Sequence, residues 1–302
     1  MNSTRQALLA LHGAVVLFGG AGLIGRLVTA PPLVVTCVRS LVGALVLAAV
    51  VGLPLPGRRA PAASAAERPR WLPAALLTTG ALLAVHWWAF FAAVQLGSVT
   101  LGLLTFASYP FFAVALEPLV FGERWQVRDF GAGLGVVAGL ALVVPEWDFG
   151  TQTGLAAGCG LGAGFTFAVL SLANRHLLRW WPARRLVAAQ TGTAGLWLLP
   201  LAAPHLAAVS ARDWAWLVLL GAVFTGLAHW AFTAALSRVR VRVAGVTAAL
   251  EPVYGVALAW AFLGEPLGGR VLAGGALLVG AAVWAAGSRA GPNPPAGRQE
   301  AG

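Results

Sequence analysis

Few residues in this chain can do chemistry, and those few lie where they are costly to keep. Glu251, Glu117, Arg39, His12, His86 and His229 all fall inside long apolar stretches. A charged side chain at the centre of a membrane helix costs roughly 2.5–3.5 kcal/mol on insertion scales, so such groups mark functional sites by default. Glu251, beside Pro252, is the candidate for binding an amine or exchanging a proton; the alternative is a structural hydrogen-bonding role. Glu117, before Pro118, is the second candidate for proton coupling, although it lies seven residues beyond Pro110, about 10 Å along a helix and so nearer a surface. Arg39 can clamp a substrate carboxylate or pair with a glutamate, or its long stem can carry the charge out to the headgroups. His12, His86 and His229 can serve as cavity or proton-relay groups, against the plainer role of packed core residues.

Aromatic residues accompany them. Trp87 and Trp88 follow His86, Trp230 follows His229, and Tyr254 lies three residues beyond Glu251. At that depth they can line an apolar cavity and hold a cation or a ring by stacking, or simply pack against lipid and neighbouring helices. Pro110 and Pro252 are expected near the middle of their spans, each freeing the carbonyl four residues earlier, that of Phe106 or Ala248. Such helix breaks are tolerated where protein or a water-filled cavity satisfies the freed group. Curvature of packed helices is the other reading.

The elements that position these residues are membrane helices. Hydrophobic residues make up 59% of the chain, charged residues 10%, and mean hydropathy is +0.81, far from the roughly 25% charged residues of a soluble domain. Ten segments are long enough to span a hydrocarbon layer: about 6–28, 31–52, 71–95, 98–120, 126–145, 152–174, 184–204, 212–237, 241–263 and 267–287. The first is too long and too uncharged at its start for a cleavable signal peptide. The expected class is therefore an all-α integral membrane protein in the cell membrane, multi-pass, with residues 289–302 as a disordered cytoplasmic tail.

The net charge of +10 does not point to nucleic acid, because the arginines cluster in short turns between spans. Both termini inside would place Arg58, Arg59, Arg68, Arg70, Arg124, Arg128, Arg175, Arg179, Arg184, Arg185, Arg238, Arg240 and Arg242 in inner loops, with Arg5, Arg289 and Arg298 in the tails. Only Arg26, Arg212 and Arg270 would lie outside and Arg39 within a span, while the outer turn after the fifth span carries Glu146 and Asp148. That bias follows the positive-inside rule and makes both termini cytoplasmic. Cys37 and Cys159 fall in apolar segments and read as small core residues, neither a disulfide framework nor a metal site.

The chain also repeats itself 142 residues apart. Trp88-Ala89-Phe90 with Ala92-Ala93 recurs as Trp230-Ala231-Phe232 with Ala234-Ala235, and Pro110, Gly122 and Glu123 recur as Pro252, Gly264 and Glu265. Residues 6–145 and 152–288 are thus two five-helix repeats. Five is odd, so matching segments enter the membrane from opposite faces and the repeats are inverted, with a site expected between them. Gly131, Gly135 and Gly139, Gly160 and Gly164, and Gly274, Gly275 and Gly280 offer small faces for close helix packing, between repeats or in a homodimer. Glu123 and Glu265, in surface turns directly after their glycines, are read as local caps or pairing groups, with gating as the alternative.

Three stretches carry a family resemblance. Ala249-Leu250-Glu251-Pro252-Val253-Tyr254, running to Phe262-Leu263-Gly264-Glu265-Pro266, resembles the end of an EamA-type module of the drug/metabolite transporter superfamily. Tyr109-Pro110-Phe111-Phe112, ending Val120-Phe121-Gly122-Glu123-Arg124, resembles the same feature in a first module, and Pro31-Pro32 before Arg39 is similar to the start of the second helix. The resemblance covers residues 8 to 288 and implies a ten-helix transporter. That family carries amino acids, other metabolites, nucleotide sugars and toxic compounds on one scaffold, so fold does not name the cargo.

Together these features predict a secondary-active or facilitative transporter of small organic solutes, an exporter of amino acids or related metabolites, working by alternating access. The chain has no lysine and no phosphate-binding loop, so a solute or ion gradient must supply the energy. No cofactor or metal is expected; the partners are a small-molecule substrate and the lipid bilayer. The rival reading is a membrane-embedded non-transport protein, either a lipid-modifying enzyme or a receptor or assembly factor. The enzyme reading suffers from the placement of Asp129, Asp148 and Asp213 at span ends and from the lack of a His or Cys pair at ligand spacing.

Overall fold

A computed structural model describes residues 3–51, 69–122, 127–144, 147–236, 238–239 and 241–288 of the chain. Glu123, Arg124, Trp125, Glu146, the tail 289–302 and several orienting arginines (Arg58, Arg59, Arg68, Arg240) lie outside the described residues. The described residues are helical, with no strand among them. α1 (Ser3–Leu27), α2 (Pro32–Val51) and α3 (Leu72–Leu96) are followed by the short α4 (Val99–Phe106), α5 (Tyr109–Phe121) and α6 (Val127–Val143). α7 (Gln152–Leu177) and α8 (Ala183–Leu206) lead to α9 (Ala211–Gly221), a π-helical turn (Ala222–Leu227) and α10 (Ala228–Leu236); α11 (Val241–Ala248), α12 (Glu251–Leu263) and α13 (Gly269–Ser288) complete the bundle. Counted across their breaks, eight helical stretches among the described residues are long and apolar enough to cross a membrane. The remaining apolar helices, Gly131–Val143 and Gly269–Trp284, are shorter.

The breaks differ from simple proline kinks. In the span that begins at Val99, the helix stops at Ala107-Ser108 and restarts, so Pro110 sits in the first turn of α5. In the span that begins at Val241 it stops at Ala249-Leu250, and Pro252 sits in the first turn of α12. A first-turn proline gives up an N–H that has no partner in the helix anyway. The gaps are stitched by short-range bonds from Ser108 N to Thr105 O (3.2 Å) and from Leu250 N to Thr247 O (3.0 Å). Both restarted helices end alike, on Gly122 at φ 68° and Gly264 at φ 66°, a left-handed closure that glycine adopts without a Cβ clash.

Packing runs mainly across the two halves. α1 packs against α10 and α12, just as α7 packs against α3 and α5; α2 meets α8, and α6 meets α13. Each of these contacts is either its own partner or matched by another when the halves are exchanged. Small residues permit the close crossings: a Cβ built on Gly139 would lie 2.9 Å from the Gly274 carbonyl oxygen, and one on Gly274 would lie 2.7 Å from that of Gly139. With lipid as apolar as the side chains, such backbone proximity is what holds helices together. The glycines of α6 and α13 that make this contact thus join the two halves.

Candidate functional site

Between the halves lies a cavity of about 330 Å³. Its walls come in pairs that occupy equivalent places in the repeat: Phe90 with Phe232, Phe106 with Ala248, Trp87 with His229, and Tyr109 with Glu251. Phe18 of α1 and Phe167 of α7 also face it, as do Ala21 and Leu170, three residues further along each helix. The helix restarts explain two of these positions. Tyr109 and Glu251 each open a helix directly after a break, so their side chains enter the space that the interrupted backbone leaves.

Arg39 is buried in α2, 3% exposed, and its guanidinium is held on three sides. The guanidinium carbon lies 4.2 Å from the centre of the Trp87 ring and 5.0 Å from that of Phe91, and Nε donates to Thr225 Oγ1 at 3.0 Å. Stacking on an aromatic face suits a planar, weakly hydrated cation. Glu251 lines the same cavity, yet no carboxylate comes within 4.0 Å of the Arg39 guanidinium among the described residues. A guanidinium and a carboxyl group therefore face one apolar space without direct contact.

The two cavity histidines have defined proton positions when neutral. His86 Nδ1 lies 2.9 Å from the Ala163 carbonyl oxygen, and His229 Nδ1 lies 2.8 Å from that of Thr225. A carbonyl only accepts, so Nδ1 carries the hydrogen and Nε2 is left as an acceptor. The cavity thus combines one cation, one acid, two imidazole acceptors and a predominantly aromatic wall. A polar lane continues from it through Thr191 and Gln190, whose amide nitrogen donates to Asn174 Oδ1 at 2.7 Å, toward Leu178 and Ala183, where α7 passes into α8.

The opposite end of the bundle is crossed by polar contacts. Trp71 at the start of α3 packs on Trp180, whereas Gly97 at its end comes close to Ala156 near the start of α7, which fixes the two ends. At the Gly97 end, Gln95 Nε2 donates to the carbonyls of Gly25, Val28 and Ala30, and Arg26 donates to the Gln95 carbonyl at 2.7 Å. Asp213 accepts from the Thr29 hydroxyl at 2.6 Å. Glu265 accepts from the amides of Val99 (2.8 Å) and Thr100 (2.9 Å), capping the N-terminus of α4 in the other half rather than its own turn. A carboxylate is favoured there by both the free amides and the helix dipole.

Of the residues singled out from sequence, the structure brings Arg39, Glu251, His86, His229 and Trp87 together in the cavity. Trp88 faces outward, 42% exposed. Trp230 is not among the cavity walls, and its indole N–H is buried with no partner among the described residues. His12 and Tyr254 bond to each other at 2.7 Å, apart from the cavity. Glu117 is ion-paired with Arg175 near the end of α7 and is not among the residues that line the cavity. Sequence reasoning passed over Phe18, Phe106, Tyr109, Phe167, Gln190 and Thr225. Repeat register marks Tyr109 as the counterpart of Glu251, and a polar glutamine within an apolar span is a visible signal; nothing local marks Thr225.

The model of the EamA-like transporter family matches residues 5–144 and 154–286, one copy on each half. Protein RarD of Escherichia coli (strain K12) is 26% identical over 205 residues, which covers 64% of this chain and 64% of RarD, so the match spans less than two thirds of that relative. An uncharacterized transporter of Archaeoglobus fulgidus is 26% identical over 194 residues, 63% of this chain and 68% of that protein. One solved crystal structure superimposes with a TM-score of 0.64 at 21% identity, over 92% of this chain and 95% of the other, a likeness of fold.

Proposed function

Because the chain belongs to the EamA-like transporter family and is a multi-pass membrane transporter, we propose that it carries small organic solutes, amino acids or related metabolites, outward across the cell membrane by alternating access. Ten spans, counting α6 and α13, form two inverted five-helix repeats in this reading, with both termini cytoplasmic. The exchange-symmetric packing of α1 with α10 and α12, and of α7 with α3 and α5, supports it. So do the matched breaks before Pro110 and Pro252. With that topology the polar lane past Asn174 leads to the cytoplasm, and the contacts of Gln95, Asp213 and Glu265 close the outer face. The chain is then in its inward-facing state, and its chemistry is transport rather than catalysis.

The observation that carries the substrate reading is the uncontacted pair of Arg39 and Glu251 on one aromatic-walled cavity. Two buried opposite charges left apart are costly unless something complementary comes between them. A zwitterion does so: its carboxylate meets the fork of Arg39 and its ammonium meets Glu251, while an apolar side chain fills the aromatic space. Glu251 also supplies a titratable group through which a proton gradient can be coupled. Flux in liposomes under two pH gradients tests both roles with Glu251→Gln. Loss of amino-acid flux together with its pH dependence is expected; unchanged proton dependence would remove Glu251 from coupling.

A further inference from the structure

The π-helical turn Ala222–Leu227 lies behind the cavity wall, where Thr225 meets the cavity residue Arg39, and it occurs in one half only. Its counterpart in the first half, within α3 (Leu72–Leu96), is uninterrupted α-helix, and the residue equivalent to Thr225 is Leu83. A π-turn is rare and is frequently found at functional sites. Thr225 lies within this turn and is fully buried. Its hydroxyl donates to the carbonyl of Leu220, five residues back, at 2.9 Å. With that hydrogen committed, the oxygen lone pairs are turned outward, and Arg39 Nε donates to them at 3.0 Å. The carbonyl of the same residue receives His229 Nδ1.

We infer that Thr225 is the specificity-determining positioning residue of the transporter: through the π-turn it locks Arg39 so that only the paired Nη1 and Nη2 edge remains for a substrate carboxylate. The three constraints act on different freedoms. Trp87 and Phe91 fix the plane of the guanidinium, and Thr225 fixes its rotation within that plane. The four Nη hydrogens have no acceptor among the described residues, so the free edge is available to a ligand. A carboxylate matches two parallel N–H groups in a fork, a geometry that a rotating guanidinium would present only part of the time. The inference rests on the carboxylate-binding role given to Arg39 above.

The test uses three probes on the purified full chain in lipid nanodiscs: phenylalanine, 3-phenylpropanoate and 2-phenylethylamine. Binding affinity is measured for the wild type, Thr225→Val, which keeps shape and loses the hydroxyl, and Thr225→Ser, which keeps the hydroxyl. Thr225→Val is expected to weaken phenylalanine and phenylpropanoate by about tenfold, the equivalent of one charge-assisted hydrogen bond's orientation, and to leave phenylethylamine within about twofold. Thr225→Ser restores the carboxylates. An equal loss for all three probes in Thr225→Val would show a merely structural role, and no loss for any would show that Arg39 needs no such anchor; either result overturns the inference while sparing the transport reading. If neither carboxylate binds the wild type, the carboxylate role of Arg39 and this inference fall together.

Discussion

A single methyl group at Gly19 should damage the protein where the same methyl at Gly13 does not. Both glycines lie in α1, and Ala is favoured over Gly in a helix by up to about 1 kcal/mol at either position. Their surroundings differ. A Cβ at Gly13 meets nothing within 4 Å, whereas one at Gly19 would lie 2.7 Å from Gly255 N, 2.8 Å from Glu251 O and 3.0 Å from Gly255 Cα. Ordinary van der Waals contact begins near 3.4 Å, so α12 must retreat by about 0.7 Å at its nearest point. All three atoms are backbone, and no rotamer change can absorb the strain. Overpacking of this kind costs about 1–3 kcal/mol. It also drags the first turn of α12, which carries Glu251 into the cavity. Thermal unfolding in detergent, followed by size-exclusion recovery, should therefore rank Gly13→Ala at or above wild type and Gly19→Ala below it, with amino-acid binding reduced only in the latter. A Gly19→Ala variant as stable and as active as Gly13→Ala would refute the close approach of α1 and α12 and the placement of Glu251 that depends on it.

Neighbouring tryptophans should separate in the same way: Trp87→Leu removes the face under Arg39 and should lower solute binding at least tenfold, whereas Trp88→Leu, on the lipid side, should leave binding within about twofold in the same assay. Glu265→Gln removes the charge that caps α4 across the halves; it should cost about 1 kcal/mol and raise the labelling of cysteines placed in the cavity by reagents added from outside. Fluorescent-protein and phosphatase fusions should report the amino and carboxyl ends on one face of the membrane, and a split result would overturn the inverted-repeat reading.

Membrane helices announce themselves because lipid offers backbone polar groups no partner, so every crossing must be a long apolar run. That is why the all-helical membrane class, the proline-marked interruptions and the two closing glycines could be read from the chain, whereas only eight of the ten expected spans are long and apolar enough to cross among the described residues. The direction each side chain takes is a harder matter. Against lipid on one side and an apolar interior on the other, a helix has little hydrophobic asymmetry to reveal its inner face. Trp87 and Trp88 look alike in sequence, yet one is 6% exposed and the other 42%. His12 and Tyr254 find each other across 242 residues, and Glu265 caps a helix in the other half; neither partner is visible locally. The π-turn is silent for a related reason: Ala222-Val223-Phe224-Thr225-Gly226-Leu227 satisfies an apolar helix of either pitch.

Duplication explains the shape of the cavity but not its chemistry. Equivalent halves that exchange conformations need equal helix lengths, breaks and caps, and those are the features that recur: α4 with α11, α5 with α12, Gly122 with Gly264. A solute has no two-fold symmetry, so the groups that recognise it must break the pattern. They do so at matched places, where Trp87 faces His229, Tyr109 faces Glu251, and Leu83 stands where the other half has Thr225. In these three pairs the acid, one imidazole and the anchoring hydroxyl lie in the second half, while His86 and Arg39 come from the first, and Arg39 is anchored on Thr225 of the second. In the proposed alternating-access cycle, recognition is thereby concentrated across the seam along which the halves would move. There a solute bridging Arg39 and Glu251 would touch both moving bodies at once, which is the physical condition for its binding energy to differ between the inward-facing and outward-facing states.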